Sequence, residues 1–132
     1  MTDLEKIINE AWENKEDINQ NSHVSILNAV NQIIEDLDQG KIRVAEKLNS
    51  EWVTHQYIKK AIMLSFRIHN MEALSGPYSS WYDKAHLLKG KTAGWTKNEF
   101  EKAGFRMVPN SPVRKGSYIA KNVVLMPCFV NT

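Results

Sequence analysis

The sequence predicts an α+β chain. A small, mainly helical N-terminal domain with a β-hairpin spans residues 1–110, and the first coil of a left-handed parallel β-helix follows over 111–132. Three observations carry this reading. Apolar residues recur with the helical period twice within the first 40 positions, the period changes at Lys41, and aliphatic residues return every six positions at Val113, Ile119 and Leu125.

The first helix is predicted from Asp3 to Glu16. Thr2 and Glu5 have the spacing of a capping box, and Leu4, Ile7, Ile8, Ala11 and Trp12 fall on one face. Ser22 is placed to cap a second helix, whose apolar positions Ile26, Leu27, Val30, Ile33, Ile34 and Leu37 keep the same period until Gly40 offers a stop. From Lys41, Ile42 and Val44 on one side and Trp52 and Val53 on the other flank Asn49-Ser50-Glu51, the pattern of a two-stranded hairpin. Thr54 then caps a third helix containing Tyr57, Ile58, Ala61, Ile62, Leu64, Phe66 and Ile68. It is apolar around much of its circumference and is expected at the buried centre. Residues 70–95, with Gly76-Pro77, Gly90 and Gly94, read as irregular connection, and Thr96 to Glu99 opens a short helix ending at Gly104.

The last segment divides into three hexapeptides: Val113 to Tyr118, Ile119 to Val124, and Leu125 to Val130. In a parallel β-helix each hexapeptide makes one flat side, and its aliphatic residue points inward to stack on the next coil. Ser117 and Val123 suit the fifth place of the repeat, where small or β-branched residues belong; Phe129 does not.

Composition bounds the function. With 132 residues, 42% of them hydrophobic and 24% charged, the chain has the balance of a globular domain. Its apolar runs are interrupted by Lys59, Lys60, Arg67 and Pro127 and fall short of the roughly 20 residues that span a bilayer, so no membrane partner is expected. No secretory signal opens the sequence, and the single Cys128 forms no internal disulfide, which together suit a cytoplasmic protein. Residues 1–40 hold nine acids against two bases, while residues 41–132 hold six against fifteen. A basic second part attracts nucleic acid or a small polyanion, or simply the acidic first part. Nucleic acid is disfavoured, because the first two helices are acidic and the third mostly apolar, leaving no basic recognition helix.

The histidines at 23, 55, 69 and 86 have no ligand spacing and a lone cysteine builds no thiolate site, so no metal is expected. Gly90-Lys91-Thr92 resembles the end of a phosphate-binding loop, but Ala85 stands where that motif needs glycine. Cys128 reads as a small buried side chain at an inward or corner position of the repeat rather than a nucleophile. Arg106 is the candidate ligand-binding residue. It stands where the short helix gives way to extended chain, and a guanidinium held at such a junction clamps a carboxylate with two parallel hydrogen bonds. From the residue alone, a solvated surface arginine is the simpler reading.

Six motifs shift that balance. Arg43 to Lys47, Trp52 to Gln56, Lys59 to Ala61, Leu64 to Ile68, Gly104-Phe105-Arg106 and Val124 to Pro127 together resemble, in order along nearly the whole chain, the bacterial tetrahydrodipicolinate N-succinyltransferases. The resemblance implies a cytoplasmic homotrimer that transfers succinyl from succinyl-CoA, its co-substrate, to an amino group of ring-opened tetrahydrodipicolinate on the diaminopimelate route to lysine. It implies no metal and no bound cofactor. It also implies that Arg106, in a Gly-Phe-Arg motif, binds the dicarboxylate, and that the catalytic acids, the donor groove and most of the hexapeptide coils stand in sequence beyond these residues. The expectation is therefore an N-terminal part, inactive alone, with a stand-alone helical binding module as the alternative. Nothing is carried over to Tyr78 to Trp95, which is less family-like than its flanks.

Overall fold

The computed structural model describes residues 2–132. Three helices form the first layer: α1 (Asp3–Glu13), α2 (Val24–Asp38) and α3 (Gln56–Ile68). Ile8, Ala11, Val30, Ile33, Leu37, Ile58 and Leu64 meet between them in one buried cluster, with Ile18 closing it from the loop. The helical period anticipates these contacts, because positions three and four apart share a face. The boundaries differ in detail. Thr2 Oγ1 accepts from Glu5 N–H (3.2 Å), as a cap should, but α1 stops at Glu13 and a separate 3₁₀ turn spans Lys15–Asp17. His23, not Ser22, caps α2: its Nδ1 accepts from Ser25 N–H, while Ser22 Oγ accepts from Asn19 N–H. His55, not Thr54, stands at the start of α3, and Met63 on that helix is exposed, so the helix is less enclosed than its composition suggests.

Gly40 ends α2 in the left-handed region (φ 71°), with its own N–H on Leu37 O and Lys41 N–H on Asp36 O. This double hydrogen bond satisfies carbonyls that the helix end would otherwise leave open. The chain then turns into the hairpin β1 (Ala45–Leu48) and β2 (Glu51–Thr54), paired from Ala45↔Thr54 to Leu48↔Glu51. Asn49 and Ser50 alone make the turn, both at positive φ (48° and 71°), the conformation that matches the right-handed twist of flanking strands.

Residues 70–95 are not irregular. They contain a second antiparallel hairpin, β3 (Met71–Ser75) and β4 (Ser80–Lys84), and the single-turn helix α4 (Ala85–Leu88). Every residue of β3 is exposed, so the strand carries no buried face to imprint a two-residue period on the sequence. Helix α5 (Lys97–Ala103) forms as expected, with a capping box between Thr96 and Glu99.

The C-terminal segment forms β5 (Arg106–Met107) and β6 (Val124–Leu125), which pair in parallel as Arg106↔Val124 and Met107↔Leu125, with a further parallel bridge Val113↔Val130. Phe105, Val113 and Leu125 are buried in a second cluster that Trp95, Phe100, Met107, Ile119 and Val130 surround. Phe129 is exposed, as its poor fit to the repeat suggests. Cys128 is exposed too, contrary to the buried reading: Leu125 and Val130 take the covered places, and Cys128 lies in the bend after Pro127 between them. Among the described residues the architecture is mixed, with three small two-stranded sheets beside the helices.

The C-terminal segment is fastened to the end of α2 by charge. Lys91 and Asp38 form an ion pair (2.9 Å) with side chains only 6% and 12% exposed. Lys91 also donates to the Asp38 carbonyl, and Asp38 Oδ1 accepts from Gly116 N–H (2.9 Å). Beside it Lys115 pairs with Glu35 (2.7 Å), and the Lys115 bond, then that from Gln39, holds the Glu35 carboxyl below its ordinary value.

Candidate functional site around Arg106

Arg106 owes its position to three local events. Helix α5 ends at Gly104, whose left-handed backbone (φ 77°) reverses the chain and lets its N–H bond Phe100 O (2.8 Å). Phe105 then turns inward against Trp95 and Phe100, ring centroids 5.8 and 5.9 Å away. Extended chain alternates sides, so an inward Phe105 sends Arg106 outward. Two backbone bonds fix the junction to the distant segment: Arg106 N–H donates to Val123 O (2.9 Å) and Asn122 N–H to Gly104 O (2.8 Å).

The arginine faces an open depression of about 400 Å³, lined with Glu101, Phe105, Asn122, Val123 and Val124. Its guanidinium has no hydrogen bond or ion pair among the described residues. By contrast Arg67 is held by Glu16 (3.1 Å), and Arg114 by Asp83 (2.7 Å) and Asn131. Glu101, the acid on the rim, pairs instead with Lys97 (3.4 Å). A guanidinium with its planar fork unfilled is suited to a carboxylate, which it holds through two charge-assisted bonds. Arg43 is likewise unpaired among the described residues, in a smaller cavity of about 250 Å³ with Lys41, His55 and Tyr57. There, however, Glu46 already occupies His55 (2.7 Å).

The other chemistry-bearing residues do not gather at Arg106. His23 caps a helix, His55 binds Glu46, and His69 and His86 stack at 3.8 Å between ring centroids. Both ring nitrogens of His86 are buried without a partner among the described residues, and burial, then the charge of His69, pushes its pKa down to about 4. No group of three or more potential metal ligands occurs among the described residues. Asn122, Val123 and Val124, which lie beside Arg106 in this depression, are not singled out by the sequence. The hexapeptide register, carried one repeat upstream from Val113, does reach Met107 and sets Arg106 beside Val124 eighteen positions on.

The family model for the N-terminal part of tetrahydrodipicolinate N-succinyltransferase matches residues 3–68. Curated proteins named 2,3,4,5-tetrahydropyridine-2,6-dicarboxylate N-succinyltransferase are similar over almost all of the chain. That of Pelagibacter ubique (strain HTCC1062) is 70% identical over 131 residues, which are 99% of this chain and 48% of the relative. That of Dechloromonas aromatica (strain RCB) is 48% identical over 97% of this chain and 46% of its own length. The Actinobacillus succinogenes protein is 47% identical over 99% and 47% respectively. The chain spans about half the length of the curated relatives it matches.

Proposed function

Because the chain belongs to the tetrahydrodipicolinate N-succinyltransferase family, we propose that these residues supply the dicarboxylate-binding side of an enzyme that moves a succinyl group from succinyl-CoA to the amino group of its acceptor. The observation that carries this is Arg106: a guanidinium unpaired among the described residues, on main chain held by backbone bonds on both sides, in a family whose relatives are named for a dicarboxylate substrate. In this reading Arg106 binds and orients one carboxylate, and binding energy spent on that distant group positions the reacting amine.

The same reading extends to architecture and setting. Residues 111–132 make the first coil of a left-handed β-helix and residues 1–110 the substrate-side domain. The parallel register Met107↔Leu125, eighteen residues or three hexapeptides apart, supports a coil of that size. The assembled enzyme is a cytoplasmic homotrimer in lysine biosynthesis, working without metal or bound cofactor. Among the described residues no helix is long and apolar enough to cross a membrane.

Residues 1–132 alone do not turn over in this reading, which the coverage of only 48% of the Pelagibacter ubique relative's length supports. Thiol release from succinyl-CoA in the presence of tetrahydrodipicolinate measures this. The expected rate with the purified 132-residue chain equals background, and turnover above it contradicts the division of labour.

A further inference from the structure

A third cavity, of about 630 Å³, lies between the C-terminal end of α2, helix α5 and the segment 115–121. Six charged side chains line it. Glu35 and Asp38 are the acids, and each is consumed by an ion pair, with Lys115 (2.7 Å) and Lys91 (2.9 Å). Lys102 and Lys121 are left with no carboxylate within ion-pair distance among the described residues, so the cavity carries two uncompensated positive charges. Its lining also includes Tyr118, whose ring rests on Gly40 so closely that an added Cβ there would stand 2.7 Å from the ring carbons. One face of the ring is thereby backed by main chain, yet the residue remains 54% exposed. Lys121 is steadied in a similar way, its stem running over Gly104, where an added Cβ would meet its Cγ at 3.1 Å.

A ring held from behind and open in front is a stacking platform, and a planar base stacks on it with little loss of side-chain freedom. Two unpaired ammonium groups lining the same cavity suit the two negative charges of a phosphate monoester. We propose that Tyr118, Lys102 and Lys121 form a binding site for a nucleotide, the base against Tyr118 and the phosphate between the lysines. This goes beyond the dicarboxylate reading and uses none of Arg106's contacts.

Calorimetric titration of the chain at low salt with adenosine 5′-monophosphate, adenosine and inorganic phosphate tests it. The monophosphate is expected to bind saturably and at least tenfold more tightly than either of the other two. Lys121→Gln and Lys102→Gln, both exposed and so compatible with folding, are each expected to weaken it at least fivefold, as is Tyr118→Leu; Lys47→Gln, exposed on β1 and outside the cavity lining, leaves it unchanged. Absence of saturable binding overturns the proposal. So does phosphate or adenosine binding as tightly as the nucleotide, or lysine variants that bind like the parent.

Discussion

The Asp38 carboxylate ties together residues far apart in sequence. It meets Lys91 in a nearly dry setting and takes the Gly116 N–H as well, joining the end of α2 to the C-terminal segment. Removing one partner of such a pair leaves a buried charge uncompensated, which costs about 3 kcal/mol or more. Asp38→Ala should therefore lower the urea midpoint by an amount corresponding to about 3 kcal/mol, and Asp38→Leu with Lys91→Met together should recover much of it. An opposite effect is expected at Ser50, which holds a left-handed backbone (φ 71°) in the two-residue β1–β2 turn. A side chain there costs roughly 1 kcal/mol that glycine avoids. Ser50→Gly should raise the thermal midpoint by several degrees, and a fall would contradict the turn geometry.

At the scale of elements, the β3–β4 hairpin and α4 are held less by burial than by a few polar contacts. Arg114 reaches Asp83, Lys84 donates to His69 O (3.0 Å), and His86 stacks on His69 with Phe66 at its edge. His86 is kept neutral by burial first and then by the charge of His69, with Arg114 and Lys84 acting in the same direction and Asp83 against them. Its folded pKa of about 4 lies below the ordinary 6.5, so the unfolded chain takes up the proton first as pH falls. The contribution of neutral His86 to stability is complete above pH 6.5 and is lost progressively down to about pH 4. His86→Phe should flatten that part of the dependence. Unfolding midpoints of both proteins at pH 7.5 and 4.5 measure the difference, and equal losses would show that His86 is not the group responsible.

Across the whole molecule, legibility follows burial. Helices α1 to α3 are readable because Ile8, Val30, Ile33, Ile58 and Leu64 sit at helical spacing and are buried at that spacing. Hairpin β3–β4 is not, because its strands cover no core and Gly76-Pro77 looks like any loop until Gly76 N–H is seen to bond Ser79 O (2.8 Å). The cap positions of α2 and α3 slip by one residue because a histidine, absent from the usual capping set, stands at each. Arg106 could be named from its motif, but the segment that backs it lies about eighteen residues away. Only the six-residue period, continued upstream to Met107, connects the two.

Arg106 is the proposed anchor for a carboxylate of the acceptor. In a full-length enzyme carrying these residues, Arg106→Lys keeps the charge but loses the planar fork, so steady-state kinetics with both substrates varied is the direct measurement. A bidentate charge-assisted bond is worth roughly 1.5–3 kcal/mol. The KM for the dicarboxylate should accordingly rise on the order of tenfold or more, at 1.4 kcal/mol per factor of ten, while the KM for succinyl-CoA stays unchanged. Unaltered dicarboxylate kinetics, or an effect confined to succinyl-CoA, would contradict it.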